Sequence, residues 1–127
     1  MKQAYPITIT KGKEFYVVHI PDFDMGTQGE TIAEAMEMAR DVIGMVGCFN
    51  QDESRPIPMP SSLGSIKVGG NTMKTLVDVD FAEYRRKHDN KKVRKNLTIP
   101  SWLNEKAEAA ELNFSAVLQE ALIAKLV

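Results

Sequence analysis

The sequence predicts an α+β fold: a small antiparallel sheet with one covering helix, followed by a strand and two further helices. Three observations predict it. Alternating apolar and polar residues from Ala4 to Thr10, and a second extended run from Phe15 to Ile20, flank a short turn, as in a β-hairpin. Apolar residues recur at three- and four-residue spacing from Ile32 to Val46, the period of an amphipathic helix. From Val93 onward another alternating run meets a proline and then two more helical stretches. With 127 residues the chain can form one modest domain or two very small ones. Its charges favour two. The net charge of −1 divides into −5 over residues 1–84, +6 over 85–95 and −2 over 96–127. The boundaries read as a first domain at 1–84, a basic linker at 85–92 and a second domain at 93–127.

Ile7 and Ile9 alternate with Thr8 and Thr10 in the first strand, Lys11-Gly12-Lys13 turns the chain, and Pro21 ends the second strand. Asp22 to Thr31 is rich in turn residues, with room for a short third strand near Gly26 to Gln28. Thr31 and Glu34 form a capping-box pattern. Ile32, Ala35, Met36, Ala39, Ile43 and Val46 then mark the helix face that packs on the hairpin, and its methionines read as core packing. From Asp52 to Asn71 periodicity is lost, and Pro56, Pro58 and Pro60 with later glycines and serines indicate a long surface loop. Thr75 to Asp80 regains strand character. Asp80 can cap a short helix through Phe81 and Tyr84, with Glu83 three residues on.

Val93 to Ile99 alternates again, placing Leu97 and Ile99 on one face and Arg94, Asn96 and Thr98 on the other. Pro100 ends that run and suits the first turn of a helix, predicted from Ser101 to Leu112. Asn113 tolerates the left-handed conformation that closes helices, and Ser115 is placed to cap a second helix bearing Leu118, Ala121, Leu122 and Leu126. A lone strand and two short helices cannot bury their own apolar surface. A homodimer solves this: two strands pair antiparallel, and the helices pack beneath around Leu97, Ile99, Leu118 and Leu122. Whether such dimers assemble further is open.

A two-stranded ribbon fits the major groove of double-stranded DNA, where Arg94, Asn96 and Thr98 would reach base edges. Lys91, Lys92 and Lys95 would hold phosphates, as would backbone N–H groups near Ser115 and Ala116 at the start of the last helix. The segment from Lys92 to Leu126 resembles the ribbon-helix-helix family of DNA-binding domains.

Other chemistry finds little support. Asp78 and Asp80 share a strand face, but a two-metal nuclease needs further carboxylates converging from other elements. Zinc has His19, His88 and Cys48 to choose from, with no close ligand pair. A single cysteine excludes an intrachain disulfide, and Cys48 between Val46 and Phe49 reads as a buried hydrophobe. The expectation is no catalytic residue, no metal and no cofactor. No apolar run is long enough to cross a membrane, so a cytoplasmic protein is expected.

The opening residues AYPITI and the stretch EFYVVHIPDFDMGTQGETIAEAMEMARDVIG resemble the HicB antitoxin domain, through the proline–aspartate turn, TQG-x-T and the helix that follows. Where that family usually has a P-G-C-type turn, this chain has Asp24-Met25-Gly26, one residue shorter. The resemblance implies a partial ribonuclease-H-like first domain that lacks a catalytic carboxylate set. It also implies a HicA-like toxin partner, a small mRNA-cleaving protein that the domain blocks, and repression of the shared operon through operator DNA. A basic RNA-binding toxin agrees with the acidic first domain. Two other readings remain open at this point: a regulator whose first domain senses a small molecule in an apolar pocket, and an active metal-dependent nuclease.

Overall fold

The computed structural model describes residues 1–88 and 92–127. Their elements are β1 (Lys2–Lys11), β2 (Tyr16–Ile20), β3 (Met25–Gly29), α1 (Ile32–Asp52), β4 (Thr72–Asp80), α2 (Phe81–Lys87), α3 (Ser101–Ala109) and α4 (Phe114–Leu126). The chain divides into two compact units, Met1–Asp89 together with Val127, and Asn90–Leu126.

In the first unit the strands form one sheet in the order β3-β2-β1-β4, with every neighbouring pair antiparallel. The predicted hairpin is β1 and β2, with Ile9 opposite Val18 and Thr8 opposite His19. The pleat sends Tyr5, Ile7 and Ile9 to one face, with Val18 and Ile20 of β2 and Val77 and Val79 of β4. Ala35, Ala39, Val42 and Ile43 of α1 complete this core. Burying each branched side chain contributes about 1.5–3 kcal/mol, so these residues dominate the unit's stability. Tyr5 joins the ends of the core, with its ring edge-on to Phe23 (5.0 Å) and Phe81 (6.3 Å).

Thr31 caps α1 as its sequence pattern predicts, its Oγ1 accepting from the Glu34 N–H at 3.0 Å. The helix runs to Asp52, where the sequence pattern is lost. Gly44 and Gly47 lie where α2 packs on it. A Cβ at Gly44 would collide with the Tyr84 ring and one at Gly47 with the Phe81 ring, so their bareness lets α2 lie against α1. Met36 packs on the core, but Met38 faces solvent, so the methionines are not all core residues.

The stretch after α1 is tied down. Tyr5 donates its hydroxyl to the Pro58 carbonyl (2.8 Å), Asp22 accepts from the Ser61 N–H (2.9 Å), and Lys74 Nζ donates to the Leu63 and Ile66 carbonyls (3.1 Å each). These anchors return the chain along the sheet, so β4 enters beside Thr10 and leaves beside Lys2, antiparallel to β1. Asp80 caps α2 as expected, its Oδ1 accepting from the Glu83 N–H at 3.1 Å.

In the second unit, residues 92–100 carry neither strand nor helix. A strand is defined by ladder bonds to a neighbour, and the expected neighbour for this run belongs to another copy. α3 ends at Ala109, earlier than predicted. Its closure is a Schellman motif: Glu111 adopts φ 57°, Leu112 N–H donates to the Ala107 carbonyl (3.1 Å) and Glu111 N–H to that of Glu108 (3.0 Å). The left-handed residue is therefore Glu111, not Asn113. Asn113 instead caps α4, accepting from the Ala116 N–H at 3.1 Å, and Ser115 lies inside the first turn.

Candidate functional site

At the corner where β4, α1 and α2 meet, the first unit has a cleft of about 360 Å³ lined by Lys2, Arg40, Asp41, Asp78, Tyr84 and His88 among others. Several of its charges are paired with one another. Asp78 meets Arg40 Nη2 at 3.3 Å and Lys2 Nζ at 3.9 Å, while His88 Nε2 lies 3.7 Å from Asp41. The Tyr84 ring stacks on His88 (3.9 Å between centroids), and burial, with Asp41 beside it, pushes its phenol up to about 12. This lining carries many charged groups, while a second cavity of about 250 Å³ is lined more by apolar groups, Tyr5, Ile57, Pro58 and Met59 among them.

The strand-face pair Asp78 and Asp80 is engaged separately. Asp78 is held by two cations, whereas Asp80 is spent on the α2 cap, and the Glu83 N–H bond holds its carboxyl below the usual carboxylate range. Among the described residues no group of three or more His, Cys, Asp or Glu is placed to hold a metal ion. Cys48 is buried, and that burial raises its thiol, leaving it a poor nucleophile.

The basic run is divided by the structure. Arg85 is not a linker residue. Its guanidinium donates to Asp52 (2.9 Å), Gln51 (3.0 Å) and the Cys48 carbonyl (3.2 Å), fastening α2 to the end of α1. Lys87 pairs with Glu83 at 3.0 Å, and His88 N–H closes α2 on the Tyr84 carbonyl. Helix α2 thus brings Arg85, Arg86 and Lys87 into the first unit and makes its net charge less negative, from −5 over residues 1–84 to −2 over residues 1–88. A Coulomb argument for a basic partner is correspondingly weaker than the sequence suggests.

In the second unit the expected base readers Arg94, Asn96 and Thr98 are exposed, as are Lys92 and Lys95; Lys91 lies outside the described residues. Leu97 and Ile99 are exposed too, at 64% and 45%, and Leu122 at 52%, while Leu118 is half-buried. The four residues expected to form a dimer core are therefore not enclosed within one chain. The apolar residues of α4 are not confined to one face, and Phe114, Val117 and Leu126 are also exposed. The phosphate site expected at Ser115 and Ala116 changes in detail. Ser115 is exposed, but the Ala116 N–H is committed to Asn113 and the residue is buried.

Sequence reasoning missed Asn113 and Glu111 as the turn-forming pair between α3 and α4, and Arg85 as a clasp. The Leu-Asn-Phe-Ser sequence offers two caps, and the distance from Arg85 to Asp52 is invisible along the chain.

Comparison with known proteins places this architecture. The family model described as HicB-like antitoxin of bacterial toxin–antitoxin systems matches residues 5–122. Antitoxin HicB of Escherichia coli K12 is 43% identical over 63 residues, and the same figures hold for Antitoxin HicB of E. coli O157:H7. That alignment takes in 48% of this chain and 46% of the relative, so the match spans about half the length of the curated relatives. A chain from the solved toxin–antitoxin complex of Streptococcus pneumoniae superposes with a TM-score of 0.63 at 28% identity, covering 98% of this chain and 99% of that one. The antitoxin HicB of Burkholderia pseudomallei shares the fold, with a TM-score of 0.55 at 23% identity and coverage of 98% and 96%. With the family model matching from Tyr5 to Leu122, through both structural units, the chain belongs to the HicB-like antitoxins of bacterial toxin–antitoxin systems.

Proposed function

We infer that this chain is an antitoxin that binds and neutralises a HicA-like mRNA-cleaving toxin and represses its own operon by binding operator DNA. The first unit serves the toxin, as a partial ribonuclease-H-like body whose Asp78 and Asp80 are occupied structurally. The second unit serves DNA as a ribbon-helix-helix homodimer. Residues 93–99 of two copies pair as the ribbon, Leu97, Ile99, Leu118 and Leu122 form the dimer core, and Arg94, Asn96 and Thr98 face the groove. Lys92 and Lys95 with Lys91 hold phosphates, together with the exposed N-terminal turn of α4 at Ser115.

The observation that carries this reading is the near-complete superposition on a chain from a toxin–antitoxin complex, combined with the uncovered apolar surface of the second unit. Exposed large apolar residues in such number mark an interaction surface. The test is co-expression of the tagged full chain with a HicA-like toxin encoded beside it. The expected result is a stoichiometric complex in which RNA cleavage by the toxin is blocked. Absence of a complex, with cleavage unaffected by excess chain, would overturn the reading.

A further inference from the structure

The sheet ends in β3 on one side and β4 on the other, and its ladder decides which backbone groups each edge turns outward. The β1–β2 turn is closed by the Gly12 N–H on the Phe15 carbonyl (2.9 Å). Bonded pairs recur at every second residue of an antiparallel ladder, so Thr10 with Val17 and Thr8 with His19 are the next bonded pairs. Tyr16, Val18 and Ile20 therefore turn their backbone groups to β3, where they meet Gly29, Thr27 and Met25. Gly26 and Gln28 are left with N–H and C=O directed out of the sheet, and both residues are exposed.

The two edges differ. β4 is pinned near both ends from within the chain, by the Thr72 N–H on the Gly69 carbonyl (3.2 Å) and by Arg40 Nε on the Asp78 carbonyl (2.9 Å). On β3, among the described residues, no hydrogen bond reaches the outward groups of Gly26 and Gln28. Its surroundings describe an occupant. Helix α1 packs on both β3 and β4, and Arg40 marks its β4 flank. Met38 and Met45, one heptad apart, fall on the opposite flank by helical geometry; Met38 is 40% exposed and Met45 half-buried. They make an apolar ledge on the β3 side. Asp24 and Glu30 flank the two ends of the strand, and Glu34 follows in the first turn of α1. These carboxylates are exposed, and among the described residues none of them pairs with a cation.

We propose that the outer edge of β3 seats an extended segment of the toxin as an added strand. An apolar side chain of that segment rests on Met38 and Met45, and lysine or arginine at its ends meets Asp24 and Glu30. The proposal rests on the toxin-binding reading of the first unit and names the surface that does it. The outward groups of Gly26 and Gln28 bond any backbone, so the ledge and the carboxylates supply the selection. A protein that grips RNA phosphates carries the cations this edge lacks. Complementarity here is local, and the small net charge of the whole unit does not reveal it.

The test uses the full chain and the HicA-like toxin encoded beside it. In the wild-type complex, amide exchange at Gly26 and Gln28 should slow by at least about tenfold relative to the free chain. Gln28→Pro removes one outward N–H and leaves the inner ladder intact, a substitution that edge strands tolerate. It should weaken toxin binding by at least about tenfold, whereas Gln28→Ala, which keeps the backbone donor, should bind as wild type does. Asp24→Asn combined with Glu30→Gln should weaken binding by about threefold to tenfold at low salt and converge with wild type at high salt. Should Gln28→Pro fail to fold, exchange in the wild-type complex decides. A toxin complex in which Gly26 and Gln28 exchange as they do in the free chain would overturn the proposal and leave the toxin reading standing. A folded Gln28→Pro of wild-type affinity would do the same. Absence of any complex with the wild-type chain would remove the toxin reading, and this proposal with it.

Discussion

Arg85→Ala separates two roles that the sequence merges. In the basic run Arg85 looks like a phosphate ligand, yet its guanidinium spans Asp52, Gln51 and the Cys48 carbonyl at 2.9–3.2 Å. Its side chain is 35% exposed and that of Asp52 36%, so the ion pair is discounted for solvent screening to at most about 1 kcal/mol. The two further hydrogen bonds contribute about 0.5–1.5 kcal/mol each. Removing the clasp should therefore cost the first unit roughly 2 kcal/mol, or about 10 °C in its thermal transition. Arg85→Lys should recover little of this, because an ammonium cannot reproduce the fork to three acceptors. The assay is thermal and urea unfolding of both variants, paired with operator binding across a salt series. The slope of log affinity on log salt should equal that of wild type. A full-stability Arg85→Ala that lowers that slope, with Arg85→Lys restoring it, would show that Arg85 holds phosphate and would refute the clasp.

Further predictions concern the second unit and pH. Asn113→Ala should cost α4 about 1 kcal/mol and Ser115→Ala almost none, while Glu111→Gly should stabilise the α3 closure by roughly 0.5–1 kcal/mol; circular dichroism melts of the variants check all three. Tyr84 holds its proton more tightly folded than unfolded, so its contribution is fully present below the ordinary phenol range and falls as pH rises through about 12. The stability difference between wild type and Tyr84→Phe should accordingly shift against wild type between pH 9 and pH 12; a difference independent of pH there contradicts the assignment. Asn96→Ala should flatten the preference for operator over scrambled duplex by about 1–3 kcal/mol with the salt slope kept. Lys92→Ala should weaken both DNAs alike and lower the slope by about one, and equal sequence-independent losses for both variants would remove base reading from residues 93–99.

The first unit was legible wherever local pattern and burial coincide. Alternation located β1 and β2 because Ile7, Ile9 and Val18 occupy one face of a half-covered sheet, and the Thr31 and Asp80 caps were readable because their bonds close within three residues. The docking of α2 on α1 was not, since nothing local says that Gly44 and Gly47 are bare to receive Tyr84 and Phe81. The stretch after α1 reads as a free loop because its anchors, Tyr5, Asp22 and Lys74, come from distant strands. In the second unit the alternation of residues 93–99 marks which side chains share a face. It does not name a pairing strand, and among the described residues no ladder forms for the run. Arg85 illustrates the same limit for charge: a run of cations gives a field, but only the fold determines which members are already bound.

The division of labour between the units is tested most directly by a fragment of residues 1–88 set beside the full chain. The fragment keeps Arg85 and His88, which hold α2 in place. Both proteins are titrated against RNA cleavage by the purified toxin and against operator DNA. The fragment should still block cleavage, with affinity reduced by the loss of dimer avidity, and should leave operator DNA unbound, whereas the full chain does both. A folded fragment that leaves cleavage untouched, or one that binds operator as the full chain does, would contradict the assignment of one partner to each unit.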